Sequence, residues 1–465
     1  LMPHRSVSYQ AAPVHLALDQ RFYRPVTAAS FPDHKLRFRN DRAAASVGLD
    51  GLDDQAWIEH FGKFMALPDN IETPLALCYH GHQFGHYNPD LGDGRGFLFA
   101  QMRSSDGRTL DLGTKGSGQT PFSRTADGRL TLKGAVREIL ATEMLEALGV
   151  NTSRTLSVIE TGEALQRNDE PSPTRAAVLV RLSHSHIRIG SFQRLSFLDD
   201  REGLEMLVRH TARHYFADQL QADGDLEALV PAFLRLVASA VAATAGAWLA
   251  AGFVHGVLNT DNFNVTGESF DYGPWRFLPH FDPGFTAAYF DQTSRYAYGR
   301  QADASMWAMC RLADCFMAFC DKQTLEEQLH DFYPQMETAL AAGLARRLGV
   351  LPTHDLKSGQ ELCRQFFNAA RASEAGFDQL LHDFWGGSQR RGNYPEDVIA
   401  GFADCLSSFT PAGNADHVFF TRKTALSMTI DEVEAIWEPI AAADDWSALY
   451  QKITAVREMG AALKV

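Results

Sequence analysis

The chain has 465 residues, of which 45% are hydrophobic and 22% charged, a balance that fits a large soluble globular protein of two or three structural units. Its net charge of −14 argues against a nucleic-acid-binding surface and is compatible with a cytosolic enzyme whose binding pocket is locally basic. The first residues contain no apolar stretch typical of a secretory signal, and the six cysteines form no CxxC pair, so we expect buried thiols in a reducing compartment.

Residues 1–60 are predicted to form a polar, mixed N-terminal extension without repeats. The histidine-rich stretch CYHGHQFGHY follows, and in it His80, His82 and His86 resemble the spacing of a zinc site. No cysteine pair and no suitably spaced glutamate accompany these histidines, so we favour a packed polar loop over a zinc site.

The segment LGDGRG at 91–96 is the first candidate for phosphate binding. Gly92 and Gly94 would let the main chain approach a phosphate, and Arg95 would bind its oxygens. Taken alone, the segment is better explained by a tight hairpin turn with a surface arginine. The sequences GRGFLFAQM and RTLDLGTK are then predicted as two strands joined by the turn SSDG.

Lys115 ends the second of these strands, about twenty residues after the glycine-rich turn, which is how kinases place a phosphate-binding lysine. The alternative is an ordinary surface lysine. A phosphate-binding lysine of this type needs a carboxylate on a helix, and the spacing of apolar residues predicts an amphipathic helix over 131–150. Glu138 is the candidate partner. Glu143 and Glu146 are rivals, and Glu146 lies in a polar stretch that we expect to be solvated.

Two further segments carry arginines that suit an anionic ligand. RTADGR at 124–129, which contains Asp127 and Gly128, is predicted either as a cationic loop over a nucleotide or as a plain type I turn. Residues 153–160 and 176–182 are predicted strands, separated by a loop that contains PSPT. VRLSHSHIRIG then supplies Arg181 and Arg188, either for an anion or as solvated arginines at a strand edge.

From about residue 200 onward the spacing of apolar residues predicts mainly helices. Residues 236–254 carry no charge and are long enough to span a membrane, but their alanine-rich composition favours a buried helix that leads into the next segment. We therefore predict an α+β, protein-kinase-like fold of two lobes, with the nucleotide in the cleft between them and a hinge near 182–195. Its parts are an N-terminal extension (1–60), a strand-rich N-lobe with one key helix (61–190) and a large helical C-lobe (191–465).

HGVLNTDN at 255–262, followed by DYGPW at 271–275, is similar to the catalytic sequence of kinases with one substitution. His255, Asn262 and Asp271 take the expected positions, but Val257 stands where a kinase has its aspartate base. Asn262 and Asp271 supply oxygen ligands that suit Mg²⁺ or Mn²⁺. Asp261 is an additional acid that can replace the missing base from a neighbouring position.

Several long segments together resemble the selenoprotein O family: GHQFGHYNPDLGDGRG, KGSGQTPFSRTADGR, VREIL, HSHIRIG, and HGVLNTDNFNVTGESFDYGPWRFL followed by FDPGF. The resemblance covers residues 75–300 and implies a protein-kinase-like fold, formerly classed as a pseudokinase. It implies that AMP is transferred from ATP to Ser, Thr or Tyr hydroxyls of proteins, with release of pyrophosphate. It also implies a nucleotide bound in the reverse orientation relative to a kinase and, for some members, the use of UTP.

The resemblance further implies a role for each matching residue. Asp261 is implied as the proton acceptor, and Lys115 as a phosphate ligand paired with Glu138. Asn262 and Asp271 are implied as ligands of Mg²⁺ or Mn²⁺. The residues implied to line the nucleotide site are Gly92, Gly94, Arg95, Lys115, Asp127, Gly128, Arg181, Arg188 and Asp271. Many members carry a cysteine near the C-terminus, whereas here none follows Cys405 and none lies between 271 and 309, which argues against disulfide control.

Two other functions stay open at this point. The first is a small-molecule or protein kinase, because small-molecule kinases share the HG-x-L-x-x-x-N pattern; Val257 argues against it. The second is a non-catalytic nucleotide-binding scaffold, which would not need the complete set of polar residues found here. We expect protein substrates, and no nucleic-acid or membrane partner. We expect a cytoplasmic location if the source is bacterial and a mitochondrial one if it is eukaryotic.

Overall fold

The structure is a computed structural model that describes residues 7–414 and 416–464. Its strands, in chain order, are β1 (Tyr23–Pro25), β2 (Lys35–Arg39), β3 (Leu75–Leu77), β4 (Gly81–Gln83), β5 (His86–Asn88), β6 (Leu98–Arg103), β7 (Thr109–Lys115), β8 (Leu130–Thr131), β9 (Arg154–Leu165), β10 (Thr174–Ser183), β11 (Phe253–Val254) and β12 (Arg276–Phe277).

The α-helices are α1 (Asp41–Ala45), α2 (Asp54–Phe61), α3 (Leu132–Ala147), α4 (Ile189–Phe197), α5 (Arg201–Tyr215), α6 (Leu226–Ala251), α7 (Gln301–Cys315), α8 (Lys322–Glu327), α9 (Phe332–Leu348), α10 (Leu356–Ser373), α11 (Phe377–Asp383), α12 (Glu396–Ser407), α13 (Ile430–Ala443) and α14 (Ser447–Ala462). The chain is therefore mixed α and β, with most strands before residue 184 and mainly helices after it. This order agrees with the predicted α+β class.

One antiparallel sheet contains eight strands in the order β1-β3-β6-β7-β10-β9-β2, with β8 paired to β10. Both ends of this order are strands from residues 1–60, because β1 pairs with β3 and β2 pairs with β9. The segment predicted as an extension thus supplies two strands of the sheet, and the sheet runs across the predicted boundary at residue 60.

The predicted strand pair β6 and β7 is confirmed, and the turn SSDG joins the two strands. The predicted strands β9 and β10 are also confirmed, but β9 continues five residues farther, to Leu165. Gly162, with φ of 75°, interrupts the apolar pattern, and the register of the pair shifts between Arg175 and Ala177. Such a bulge absorbs an irregular residue and lets the pairing continue, so the sequence pattern ends before the strand does.

Helix α3 is confirmed close to its predicted bounds. The Thr131 side chain accepts the Gly134 N–H at its first turn, and Gly149, with φ of 85°, follows its end. One side of α3 packs on β9 and β10 and another packs on α14, from the far end of the chain. Because two layers cover the helix, its carboxylates Glu138 and Glu143 are both buried.

Helix α6 begins earlier than the predicted segment and ends at Ala251, after which Gly252 adopts a left-handed conformation (φ 66°). Among the described residues α6 is the one helix whose length and composition would suffice for a membrane span, and 61% of its most apolar window is buried inside the protein. It packs mainly on α9 and α7 and passes the chain through β11 into His255. The apolar run containing Cys310 and Cys315 forms α7, and no disulfide joins the six thiols.

Candidate active site

The segment 255–262 is fixed at its start by buried hydrogen bonds. His255 is fully buried, its Nε2 lies 2.8 Å from the Phe270 carbonyl oxygen, and its backbone N–H donates to the Gln301 side chain at 3.0 Å. The contact with Phe270 ties this segment to the DYG segment that follows it. The chain then forms a short 3₁₀ turn, Thr260–Asn262, that carries the candidate base Asp261 and the candidate metal ligand Asn262.

Asp261 and Asn262 present two buried oxygen atoms that no described group satisfies. The Asn262 side-chain amide donates to the Val257 carbonyl at 3.0 Å, so its Oδ1 is directed elsewhere, and neither Asn262 Oδ1 nor Asp261 Oδ1 has a hydrogen-bond partner within the described residues. Burial raises the pKa of Asp261 to about 6, although the Arg188 cation opposes the rise. Buried oxygens without partners are costly and mark a place where a ligand is expected.

Lys115, Glu138, Asp271 and Arg181 form a compact charged cluster beside this turn. Lys115 Nζ lies 2.7 Å from Glu138 Oε2 and 3.3 Å from Asp271 Oδ1. Arg181 Nη1 also lies 3.3 Å from Asp271 Oδ1, and 3.6 Å from Glu138 Oε1. Burial alone would raise the pKa of Asp271, but the Lys115 and Arg181 cations hold it well below its ordinary value. Asp271 is therefore ionised and sits between two cations.

Arg188 joins the end of the strand-rich part to the candidate catalytic turn. Its guanidinium donates to the Asp261 carbonyl oxygen at 3.0 Å and to Asp93 Oδ1 at 3.2 Å, and it lies 4.3 Å from the ring centroid of Tyr79. Arg188 is buried, and its Nε has no partner among the described residues. The alternative of a solvated arginine at a strand edge is therefore wrong for Arg188. It is wrong for Arg181 as well, because that side chain is also buried.

The glycine-rich segment 91–96 packs closely against its neighbours. A Cβ built on Gly92, whose φ is 157°, would lie 2.3 Å from Phe122 Cγ, and one built on Gly94 would lie 3.0 Å from the Phe122 carbonyl oxygen. The Gly116 N–H donates to the Arg95 carbonyl at 2.7 Å, which joins this segment to the residue after Lys115. The Arg95 side chain is exposed, and its charge helps to lower the pKa of Asp271.

Asp127 and Gly128 lie in a separate loop. Asp127 Oδ2 is 2.8 Å from Arg167 Nη1, and Oδ1 accepts the Arg129 N–H at 2.9 Å. The Gly128 carbonyl accepts the Gly118 N–H at 3.1 Å, which places this loop against the GSG segment after Lys115. The structure brings the main chain of Gly128 near the candidate site, while the Asp127 carboxylate contacts Arg167 and Arg129 rather than the charged cluster.

The histidine-rich stretch folds as the hairpin β4–β5 and contacts the candidate catalytic turn directly. The His82 N–H donates to Thr260 Oγ1 at 2.7 Å, and the Phe84 N–H donates to Asn259 Oδ1 at 3.0 Å. A Cβ built on Gly81 would lie 2.9 Å from Asp261 Oδ1. In the part of the chain that the structure describes, no group of three His, Cys, Asp or Glu side chains is arranged to hold a metal ion. This hairpin is thus a packing partner of the turn.

Sequence reasoning missed three contributors to the site, Gly81, Asp93 and Asn259. Asp93 stands inside LGDGRG, where only the glycines and the arginine drew attention, yet it accepts both from Arg188 and from the Leu77 N–H at 2.9 Å. Asn259 accepts the Tyr296 hydroxyl at 2.9 Å as well as the Phe84 N–H. Both lie within two residues of a predicted site residue, which is the signal that could have identified them.

The sequence matches the protein family described as protein adenylyltransferase SelO over residues 5–457. A relative from Synechocystis sp., named protein nucleotidyltransferase YdiU, is 41% identical over 455 residues, which cover 97% of this chain and 87% of the relative. Relatives of the same name are 38% identical in Trichormus variabilis, over 98% of both chains, and 34% identical in Vibrio cholerae, over 79% of this chain and 73% of the relative.

Proposed function

The chain belongs to the SelO family of nucleotidyltransferases, and on that premise we propose that it is a protein adenylyltransferase that transfers AMP from ATP to a Ser, Thr or Tyr hydroxyl. In this proposal the main sheet and α3 form the N-lobe, the helices after residue 190 form the C-lobe, and the nucleotide lies between them as in a kinase. The strands β1 and β2, which come from the predicted N-terminal extension at residues 1–60, belong to the sheet of the N-lobe in this proposal.

One observation carries the proposal, the pair of unsatisfied oxygens in the turn 260–262. Val257 has no group that can accept a proton, and Asp261 Oδ1 is buried without a partner next to the equally unpartnered Asn262 Oδ1. A carboxylate whose pKa is raised to about 6 accepts a proton from a hydroxyl more readily than an ordinary aspartate, at a pH where it is still mostly ionised. These features support Asp261 as the general base.

The oxygens of Asn262 and Asp271 fit a hard divalent cation. Asn262 Oδ1 is unpartnered because the amide nitrogen is held by the Val257 carbonyl, and Asp271 is ionised. Mg²⁺ and Mn²⁺ prefer carboxylate and amide oxygens, so we propose that these two residues hold the ion. When bound, such an ion neutralises phosphate charge and orients the phosphates.

The proposed reaction needs few protein groups. The acceptor hydroxyl oxygen bonds to the α-phosphorus of ATP, the bond from that phosphorus to the oxygen bridging to the β-phosphate breaks, and pyrophosphate leaves. Asp261 takes the hydroxyl proton. Lys115, held by Glu138 at 2.7 Å, stabilises phosphate charge together with Arg181 and Arg188. The remaining residues proposed to line the nucleotide are Gly92, Gly94, Arg95, Asp127, Gly128 and Asp271.

The buried cations support a nucleotide whose phosphates are inverted relative to a kinase. A kinase surrounds adenine with apolar groups. Here Arg181, within the last strand of the sheet, lies against Asp271, and Arg188, after that strand, lies against Asp261 and Asp93. Guanidinium groups at these positions suit phosphates rather than a base. An inverted nucleotide brings its α-phosphate toward the acceptor, which is what AMP transfer requires.

Labelled nucleotides test the proposal directly. The protein is incubated with Mg²⁺ or Mn²⁺, a mixture of acceptor proteins, and ATP labelled at the α- or the γ-phosphate. Label in protein from α-ATP alone is the expected result, and label from γ-ATP alone would indicate a kinase instead. Transfer from α-labelled UTP in preference to ATP would replace AMP by UMP at the same site. ATP binding without any transfer would indicate a scaffold.

A further inference from the structure

A basic groove lies at the start of α7, next to the tip of the hairpin β4–β5. It is a cavity of about 330 Å³ formed where the segment 293–300 runs into the first turns of α7. Its walls are Thr293, Arg295, Arg300, Asp303, Ala304 and Trp307. We refer to these six residues as the basic groove. None of them has a role in the proposed transfer of AMP.

The groove is connected to Asp261 by the short hairpin β4–β5. At one end of β4, a Cβ built on Gly81 would lie 2.9 Å from Asp261 Oδ1. At the hairpin tip, a Cβ built on Gly85 would lie 3.3 Å from Arg295 Cζ. Four residue steps separate the two glycines, and because Phe84 and Gly85 form the turn of the hairpin, the glycines lie less than ~13 Å apart, the length of four residues of extended chain.

The cations of the groove have no carboxylate partner. In residues 7–414 and 416–464, Arg295 forms no ion pair, and its buried Nε has no hydrogen-bond partner. Its guanidinium is held in place by Trp307, whose ring centroid is 4.7 Å away. Arg300 donates only to the main-chain carbonyls of Thr293 and Ser294, at 3.2 and 3.3 Å. An oriented guanidinium without an anion favours binding of a carboxylate.

The acid in the groove does not neutralise these cations. Asp303 Oδ1 accepts the Tyr333 hydroxyl at 2.8 Å and forms no ion pair among the described residues. Two arginines against one aspartate leave the groove positive, on a protein whose net charge is −14. A local positive charge on an acidic protein attracts an anionic group to this place in particular.

Exposed aromatic rings lie next to the hairpin tip that contacts Arg295. Phe290 is 46% exposed and Tyr289 is 87% exposed, and the Phe290 ring lies 5.7 Å from that of Phe84 at the hairpin tip. Phe84 in turn lies 4.9 Å from Tyr296, which contacts Asn259 of the catalytic segment. Exposed aromatics that border a polar groove are typical of a surface that binds polypeptide rather than a small ion.

We propose that the basic groove binds an acidic side chain of the acceptor polypeptide and so selects hydroxyls that have a Glu or Asp within about four residues. The spacing follows from the hairpin that connects Asp261 to Arg295: its two contact points, Gly81 and Gly85, are four residues apart, so an extended polypeptide spans them in at most about four residues. The inference rests on the proposed function, because the acceptor hydroxyl must lie at Asp261. Arg295 is the anion ligand, Trp307 orients it, and Phe84 and Phe290 contact the polypeptide between the two points.

Paired peptides test this selection. Each peptide carries one acceptor hydroxyl and either Glu or Gln three or four residues away, and kcat/KM is measured with α-labelled ATP. The wild-type protein is expected to prefer the Glu peptide by roughly tenfold, as for a charge-assisted contact at a partly desolvated site. Arg295→Glu is expected to abolish or reverse this preference while ATP binding is unchanged.

Arg311→Gln is the matched control. Arg311 also lies over Trp307, at 5.2 Å, but it is paired with Asp314 at 3.0 Å and does not line the groove. This variant should keep the wild-type preference. Equal kcat/KM for the two wild-type peptides, or a Glu preference that survives in Arg295→Glu, would overturn the proposal.

A binding measurement separates failure of the inference from failure of the proposed function. The affinity of the Glu and Gln peptides is measured by fluorescence anisotropy without nucleotide, for the wild type and Arg295→Glu. Tighter binding of the Glu peptide, lost in Arg295→Glu, supports the groove even if no AMP is transferred. Equal binding of both peptides to the wild type overturns the groove even if AMP transfer occurs.

Discussion

Helix α3 carries three glutamates that offer a controlled test of the charged cluster. Glu138 contacts Lys115 and Arg181, Glu143 is bound by Arg457, and Glu146 pairs with Arg42 at the surface. The change Glu→Gln at each position removes the negative charge and keeps the size of the side chain. The three variants therefore compare one chemical change in three environments on one helix.

Burial and distance determine the expected loss of stability. Glu138 is fully buried, and its Oε2 lies 2.7 Å from Lys115 Nζ, a separation at which the attraction is about 6 kcal/mol for an effective dielectric constant of ~20. Desolvation of both ions offsets part of this attraction, and removing one partner of a buried pair costs about 3–5 kcal/mol. We expect Glu138→Gln to lower the free energy of unfolding by about 3–5 kcal/mol.

Glu143 and Glu146 separate stability from catalysis. Glu143 is 3% exposed and lies 2.6 Å from Arg457 Nη2, so Glu143→Gln should also cost about 3 kcal/mol or more. Glu146 is 36% exposed and 2.9 Å from Arg42, and a surface pair of this kind contributes about 0–1 kcal/mol. Only Glu138→Gln should reduce AMP transfer per folded molecule, by ~100-fold, because Lys115 would then turn toward Asp271 and occupy the proposed metal ligand.

Urea unfolding gives the stabilities, and the initial rate with α-labelled ATP, normalised to folded protein, gives the activities. Full transfer activity in Glu138→Gln would refute the role assigned to the Lys115–Glu138 pair. An equal loss of activity in folded Glu143→Gln would refute the conclusion that Glu143 stabilises α3 without taking part in the transfer of AMP.

Four further results are expected. Asp261→Asn should lower kcat by 10²–10⁴-fold, as for loss of a general base, with ATP affinity unchanged in isothermal titration calorimetry. Gly81→Ala should lower kcat by up to ~100-fold because the added methyl group would displace the Asp261 carboxylate. Gly51→Ala is the control and should leave kcat unchanged, because no atom lies within 4 Å of the methyl group added there. Chelation should abolish transfer, and Mg²⁺ or Mn²⁺ should restore it in the wild type but not in Asn262→Ala, measured by label incorporation. Burial lowers the pKa of His210 to about 2, so below pH ~6.5 the unfolded chain takes up a proton at this residue while the folded protein does not. The free energy of unfolding should therefore fall by up to ~1.4 kcal/mol per pH unit on acidification. Urea titrations at pH 7, 6 and 5 should show a smaller decrease of this free energy in His210→Gln than in the wild type.

The elements that sequence alone predicted are those with strong local signals. The β6–β7 hairpin follows from apolar strands on either side of a turn sequence, and α3 follows from apolar periodicity between Thr131 and Gly149. The pairing of Lys115 with Glu138 was predicted from a known spacing, and Lys115 Nζ lies 2.7 Å from Glu138 Oε2. Local pattern and motif spacing are sufficient for such features.

The features that sequence could not predict depend on contacts between distant residues. Nothing in 23–25 or 35–39 indicates that these short strands complete the sheet, because their pairing partners are distant in the sequence, about 50 positions away for β1 and more than a hundred for β2. Glu143 was a rival of Glu138 as partner of Lys115, and its actual partner, Arg457 on α14, is 314 positions away. His82 resembled a zinc ligand, and its role in fastening the hairpin to Thr260 comes from tertiary structure alone.

The ion pair between Glu143 and Arg457 also has a consequence for biosynthesis. The two residues are 314 positions apart, so at 5–20 residues per second Arg457 is synthesised roughly 16–60 s after Glu143. During that interval the nascent chain lacks α14, and the Glu143 carboxylate has only the side chains of Asn40, at 3.5 Å, and Arg42, at 3.6 Å, as partners. The side of α3 that α14 covers is therefore closed only near the end of translation, after all four residues of the charged cluster have been made.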